Sequence, residues 1–366
     1  MGYVVVEPPR ARGPRPGVTP LGERIAALIE ANGPMPVSDY MALCLFDPQH
    51  GYYTTRQPFG ATGDFTTAPE ISQMFGELVA AWLAHGWREM GSPSNAIVAE
   101  IGPGRGTLML DVVRTLRRIA PALIQKVHLV ETSPRLRDMQ GERLAGADIT
   151  AEWHETIDTL PEAPSLVVAN ELFDAVPTRQ FVSTGDRWLE RCVVLRDGTL
   201  AFGTGTASLP FPKAEVGTIR EIAPARDALM ARIAMRLTEH DGLFLAFDYG
   251  HEGGTGDTLQ AVRDHAPVDP LATPGEADLT THVDFRALAN AARSTGAHVL
   301  GPLAQGEFLL GLGLLERAGA LGAGKDEAEQ NAIRDAVERL AGPDGMGTLF
   351  RVMAVSGRER ALPPFA

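Results

Sequence analysis

Ile97–Val113 reads IVAEIGPGRGTLMLDVV, and the fold turns on how its middle is read. An apolar, β-branched run climbs to Ile101, glycine recurs at Gly102, Gly104 and Gly106, and Met109, Val112, Val113 and Leu116 then take up helical spacing. A strand that ends in glycines and turns straight into a helix presents unpaired backbone N–H groups and the positive end of a helix dipole. Two ligands fit this turn badly. A nucleoside triphosphate loop needs Lys then Ser or Thr after its last glycine, whereas Gly106 is followed by Thr107 with no lysine. A dinucleotide loop sets its third glycine where this chain has Thr107.

The strand-helix alternation continues outward. KVHLVE (126–131), DITAEWHE (148–155), PSLVVANE (164–171) and GLFLAFDYG (242–250) read as strands, and SPRLRDMQGERL opens a helix with Ser133 as cap and Pro134 at its first position. A further helical segment is predicted from about Val216 to Leu237. Such alternation predicts an α/β fold: a mostly parallel sheet with helices on both faces. Between Thr178 and Thr206 the pattern alternates and Asp197-Gly198 signals a hairpin, which predicts an inserted antiparallel β segment over about 178–215.

Residues 1–90 read as an N-terminal helical cover with a lid, and 91–366 as the α/β domain with helical additions at its end. Leu21–Leu45 is helical with a break at Gly33–Pro36, and the glycine-bearing loop FDPQHGYYTTRQPFGATGDF (46–65) is the candidate lid, carrying His50, Tyr52 and Tyr53. Ile71, Met74, Phe75, Leu78, Val79 and Trp82 form one apolar helical stripe, entered through Thr67, Pro69 and Glu70 as a capping box. After Asp278, helices are predicted near 283–292, 308–318 and 326–340, and LFRVMAVSG closes the chain as a strand.

Composition narrows the function. With 44% apolar and 22% charged residues among 366 and no apolar run of membrane length, no membrane span is expected. The net charge of −13 repels phosphate backbones and argues against a nucleic-acid partner. Cys44 and Cys192 are too few for a disulfide framework, and histidines and cysteines lie scattered without ligand spacing, so no metal site is expected. No Gly-x-Ser-x-Gly suggests a serine hydrolase. The opening MGYVVVEPPRARGPRPGVTP reads as a flexible lead-in too rich in Pro and Gly for a good presequence helix. A bacterial cytoplasm is the expected compartment, or the mitochondrial matrix for a eukaryotic chain.

Glu100-Ile101-Gly102-Pro103-Gly104-Arg105-Gly106 resembles the first motif of class I S-adenosylmethionine methyltransferases, whose fold is Rossmann-like. The resemblance implies glycines that let the backbone pass close to the cofactor's methionine end, Glu100 bonding its ammonium or orienting the loop, and Glu131 accepting from the ribose hydroxyls, with Thr132 beside it. A dehydrogenase also places an acid after its second strand, so Glu131 gains weight only together with Glu100 and the glycines. Asn170, Glu171 and Asp174 follow the fourth strand. Two carboxylates there, one helical turn apart, could grip a guanidinium, or could cap a turn and face water. Thr67, Pro69, Glu70 and Ser72 serve equally as helix entry or as a seat for the cofactor's carboxylate. His154 falls where such domains contact adenine, and also reads as a packed histidine. Asp248 and Tyr249 border the substrate or only make turn chemistry.

Six segments in order, GDFTTAPEISQMFGE (63–77), EIGPGRGTLMLD (100–111), LVETSPRLRDMQ (129–140), ANELFDAVP (169–177), DYG (248–250) and DLTTHVDF (278–285), resemble the MidA-like family, which includes the mitochondrial arginine methyltransferase that assists assembly of respiratory complex I. The resemblance implies S-adenosyl-L-methionine as cofactor and a protein substrate such as a complex I subunit, with a homodimer left open. Glu171, then Asp174, are the expected catalytic acids. A cofactor-binding assembly chaperone without catalysis and an NAD-dependent oxidoreductase are the rival readings.

Overall fold

The computed structural model describes residues 19–55, 66–124 and 126–365. Residues 1–18 of the predicted lead-in and the second half of the predicted lid, 56–65 with Asp64, fall outside these residues. Near-continuous apolar runs build the central sheet: Ile97–Ile101 (β1), Val127–Val130 (β2), Ala151–His154 (β3), Ser165–Asn170 (β4), Gly242–His251 (β5), His298–Ala304 (β6) and Phe350–Ser356 (β7). Every residue of β1 and β2 is buried, as expected of strands covered on both faces. The strands hydrogen-bond in the order β6-β7-β5-β4-β1-β2-β3, and only β7 runs against its neighbours. From β1 the chain moves outward through β2 and β3, then returns to place β4 on the other side of β1. β1 and β4 thus flank the point where strand order reverses, and a crevice opens there at their carboxyl ends.

Alternation along the strands divides the core. Val98, Leu166 and Leu245 face the helices Gln73–Glu89 and Thr107–Ile119, which bring Phe75, Val79, Trp82, Met109, Val113 and Leu116. Ala99, Val167 and Ala246 face the helices Pro224–His240 and Phe285–Arg293, with Met230, Ile233, Leu237 and Leu288. A large apolar side chain so buried contributes roughly 1.5–3 kcal/mol. A third cluster joins the N-terminal helices Pro20–Asn32 and Val37–Phe46, through Ile25, Tyr40 and Met41, to Val193 of the insertion and to Leu279 of the strand Asp278–Thr280.

The inserted segment is antiparallel, and Asp197 (φ 51°) and Gly198 (φ 76°) make its predicted tight turn. It reaches further than 215, because Ile219–Ile222 is a strand paired with Arg179–Val182. The helix expected from Val216 therefore starts at Pro224, where proline suits the first position. Met35–Pro36 joins the same sheet beside Cys192 and Val193. Three further strands, Gln260–Arg263, Ala266–Val268 and Asp278–Thr280, form a small sheet that the pattern did not announce, and neither did it announce β6. Val283–Asp284 is a strand pair with Gly250–His251, so the helix begins at Phe285 under the Asp284 cap. The single helix expected near 308–318 is two, Gln305–Gly311 and Leu314–Gly322, separated where Gly313 takes φ 89°. Among the described residues no helix is long and apolar enough to cross a membrane.

The capping box predicted at Thr67 does not form. Ala68–Ile71 is one short turn without a side-chain cap, and the long helix starts afresh at Gln73, where Ser72 Oγ accepts from Met74 N at 3.2 Å. Glu70 is drawn elsewhere: Thr107 donates to it, and Arg105 and Arg143 each lie 3.6 Å from its carboxylate.

Candidate functional site

The turn after β1 needs its glycines. Gly102, Gly104 and Gly106 take φ of 66°, 52° and 76°, left-handed conformations that any β-carbon would strain. Gly102 N donates to Val130 O at 3.0 Å, which ties the turn to β2. Buried Gln140 steadies it from the next helix, donating to Gly104 O at 2.8 Å and to Glu131 Oε2 at 3.3 Å while Trp153 Nε1 holds its oxygen at 2.8 Å. Glu131 Oε1 accepts from Ser133 N at 2.8 Å. Gln140 was invisible in sequence, because its partners are brought to it by the packing of Pro134–Ala145 against β3 and by the turns after β1 and β2.

A cavity open to solvent, with about 680 Å³ of empty space counted to its mouth and beyond, lies at the carboxyl ends of β1 and β4. Gly102 and Gly104 form one wall with Glu100, Arg105 and Thr107; Asn170, Glu171, Asp174 and Tyr249 form another; Tyr53, Thr67, Pro69 and Glu70 come from the residues before the long helix Gln73–Glu89, and Asp278 and Thr280 from the small sheet. Among the described residues the lining holds five carboxylates, Glu70, Glu100, Glu171, Asp174 and Asp278, and one arginine, Arg105, which lies 3.6 Å from Glu70.

Burial dominates the chemistry of these acids. Glu100 is 2% exposed, and its carboxyl is pushed up to about 8 by burial, only partly offset by the Met109 N–H. Burial first, then the neighbouring Asp174, pushes Glu171 up to about 8, against donation from Asn170 Nδ2 at 3.0 Å. Burial also raises Asp174. Asp248, behind the wall, lies well above the carboxylate range through burial and then Asp174. Glu100 Oε2 and Asn170 Oδ1 are buried acceptors with no hydrogen-bond partner among the described residues. An acidic cavity with orphaned acceptors asks for a cationic ligand that brings N–H donors. S-adenosylmethionine, with its ammonium and sulfonium, meets both needs, so the residues fit that cofactor.

The profile of a family described as "Putative S-adenosyl-L-methionine-dependent methyltransferase" matches residues 78–303. The chain belongs to this family. It is 36% identical to the protein arginine methyltransferase NDUFAF7 homolog, mitochondrial, of Drosophila melanogaster, over 92% of this chain and 84% of that one. It is 32% identical to the human protein arginine methyltransferase NDUFAF7, mitochondrial, over 94% and 85% of the two chains. A crystal structure of a Burkholderia thailandensis protein bound to S-adenosyl-homocysteine superposes with a TM-score of 0.82 at 31% identity, covering 94% of each chain. The methyltransferase is thus a class I enzyme that uses S-adenosyl-L-methionine, as its first motif implied.

Not every expected site residue reaches the cavity. Glu131 is not among the lining residues and is engaged by Ser133 and Gln140; Thr132 beside it is exposed; Gly106 packs toward Gln140; Ser72 is spent as a helix cap. Asp248 does not line the cavity: Oδ2 accepts from Phe173 N at 2.9 Å and Asp174 N at 3.2 Å, and Oδ1 from Tyr249 N at 3.0 Å. Glu171 and Asp174 share the cavity wall without a helix between them, since 171–176 is a bend and turn in which Glu171 takes φ 52°. Tyr53 OH donates to Asp278 at 3.0 Å, a pairing across 225 residues that sequence could not reveal. His154 is buried against another histidine, Nε2 to His128 Nδ1 at 2.9 Å, and these two with Glu152 bring three potential ligand atoms within 4.8 Å of one another. Sequence spacing did not announce this cluster, because it forms only through the register that pairs β2 with β3 and sets His128 opposite Glu152.

Proposed function

We propose that the methyltransferase modifies an arginine side chain of a protein, with Glu171 and Asp174 orienting the guanidinium. The observation that carries this reading is the pair of acids on one wall of a cavity whose other wall is the glycine turn. Two adjacent carboxylates complement the forked N–H geometry of a guanidinium better than a single ammonium. The relatives named protein arginine methyltransferases support the same acceptor.

The bound cofactor supplies an activated methyl group. Glu100 would hold its ammonium, the glycine turn its methionine end, and Glu131 the ribose; Thr67, Pro69 and Glu70 would close over it. Glu171 accepts an N–H of the acceptor and, with its raised pKa, can take the proton that the nitrogen gives up as the N–C bond forms. Tyr53 and Tyr249 shield the acids from water. We assign residues 1–90 to the cover and 91–366 to the catalytic domain with its insertion. We further assign a respiratory complex I subunit as the protein acceptor and a mitochondrial matrix or bacterial cytoplasm as the compartment, in line with the mitochondrial relatives. The test is incubation of extract from a strain lacking the protein with purified enzyme and methyl-labelled cofactor, followed by mass spectrometry. Label on arginine supports the reading, and label confined to other residue types overturns it.

A further inference from the structure

We propose that His128, His154 and Glu152 bind one zinc-class divalent ion on the outer strands of the sheet, apart from the methyl-transfer cavity. β2 and β3 pair in parallel, so His128 stands opposite Glu152, and His154 follows two residues on along the same face of β3. His128 Nδ1 and His154 Nε2 lie 2.9 Å apart, and Glu152 Oε1 is 4.0 Å from His154 Nε2.

The hydrogen-bond network fixes which nitrogen of His154 is free to ligate. Thr159 Oγ1 donates its own hydrogen to Thr156 O at 2.9 Å, so it can only accept from His154 Nδ1 at 3.1 Å. The ring proton therefore sits on Nδ1, and the Nε2 lone pair points at His128. A threonine holding the far nitrogen of a ligating histidine is the outer support that metal sites require. His128 presents a second lone pair when its ring proton moves from Nδ1 to Nε2, with no net proton loss. Glu152 is about half exposed and gives an entry path; Lys126, 2.7 Å from Glu152 Oε2 and itself 47% exposed, can swing into solvent. The nearby guanidinium groups are already engaged with backbone carbonyls, Arg137 with Glu131 and Arg236 with Leu160 and Pro161.

Two imidazoles and one carboxylate, with water as fourth ligand, are a zinc donor set, whereas magnesium and calcium prefer oxygen. Nitrogens about 2.0–2.1 Å from a tetrahedral zinc stand roughly 3.3 Å apart, so the pair must open by only about 0.4 Å. The ion would also reach the cofactor side, because His154 O accepts from Glu131 N at 2.9 Å. Fastening β3 to β2 fixes the strand end that carries the expected ribose acid.

The experiment is calorimetric titration of zinc chloride into full-length protein stripped with a chelator and dialysed, with magnesium chloride as control. One equivalent of zinc and no heat from magnesium are expected, with affinity falling at least tenfold in His128→Asn and His154→Asn. Cobalt(II) should give the visible absorption of a tetrahedral site, lost in the same variants. No stoichiometric zinc binding, or binding unchanged in both histidine variants, overturns the proposal. Should those variants fail to fold by circular dichroism, Glu152→Gln decides. Its side chain is half exposed, so weakened zinc binding there supports the site and unchanged binding refutes it.

Discussion

Glu171 combines three properties seldom found in one residue: a left-handed backbone at φ 52°, a carboxyl pushed up to about 8, and a place on the cavity wall. Strain of this kind in a non-glycine residue persists only where surrounding contacts hold it. Glu171 N donates to Phe247 O at 2.8 Å and Asn170 Nδ2 to its carboxylate at 3.0 Å. Glu171→Gln keeps the shape but removes the proton acceptor, so kcat should fall by about 100-fold or more while S-adenosylhomocysteine affinity stays within a few-fold. Wild-type turnover in that variant would move the acceptor's partner to Asp174 or Asp278. Gly104 offers a different test. Valine at φ 52° is strongly disfavoured, and the turn faces the cavity, so Gly104→Val should lose calorimetric cofactor binding while far-ultraviolet circular dichroism stays native. Glu131→Ala should weaken the cofactor by about 1.5–3 kcal/mol, the usual worth of hydrogen bonds to a charged group. Less than a twofold loss of affinity would leave Glu131 as only an anchor for Ser133 and Gln140.

At the scale of elements, the turn at 171–176 is held in place by β5. Asp248 takes up the N–H groups of Phe173 and Asp174, and buried Arg226 donates to Asp174 O at 3.1 Å and His282 O at 2.8 Å. Asp248→Asn sets an amide NH2 against backbone N–H groups that now bond to both carboxyl oxygens, and should cost about 1–3 kcal/mol of stability. Because the turn carries Asp174, the same change should lower kcat with little effect on cofactor affinity; a variant as stable as wild type and fully active would show that the turn stands without this brace. Such bracing explains what sequence could and could not reveal. The glycine turn, the Asp197-Gly198 hairpin and the Ser133 cap were legible because local chemistry settles them within a few residues. Gln140, Asp278 and the Tyr53 contact were not, because each works through partners far away in the chain. Glu70 misled because a capping pattern is local evidence, and three side chains from later elements, Thr107, Arg105 and Arg143, outbid the helix end for its carboxylate. The His128 and His154 cluster shows the same limit, since only strand register brings it together.

Over the whole molecule, charge and cavity act in concert. The chain carries a net −13, and among the described residues its cavity gathers five carboxylates against one arginine, so the site favours positive ligands. The same arrangement sets opposite pH dependences for folding and for binding. Burial pushes Glu100 and Glu171 up to about 8 in the folded protein, against an ordinary glutamate value of 4.5. Between about pH 4.5 and 8 the folded state therefore holds protons that the unfolded chain has released, and stability without ligand should fall across that window and level off above it. A cation bound beside these acids favours their ionised forms, so its affinity must rise with pH over the same interval. S-adenosylmethionine and S-adenosylhomocysteine differ only by the S-methyl group and the sulfonium charge that comes with it, which makes their affinity ratio the cleanest readout. Calorimetry at pH 6, 7, 8 and 9 should show the ratio climbing in favour of the sulfonium form by up to about tenfold per pH unit below 8, then flattening. The climb should shrink in Glu171→Gln, which removes one of the two titrating acids. A ratio independent of pH in the wild type would mean that the acids are already ionised before the cofactor arrives, and that something other than burial sets the charge of this cavity.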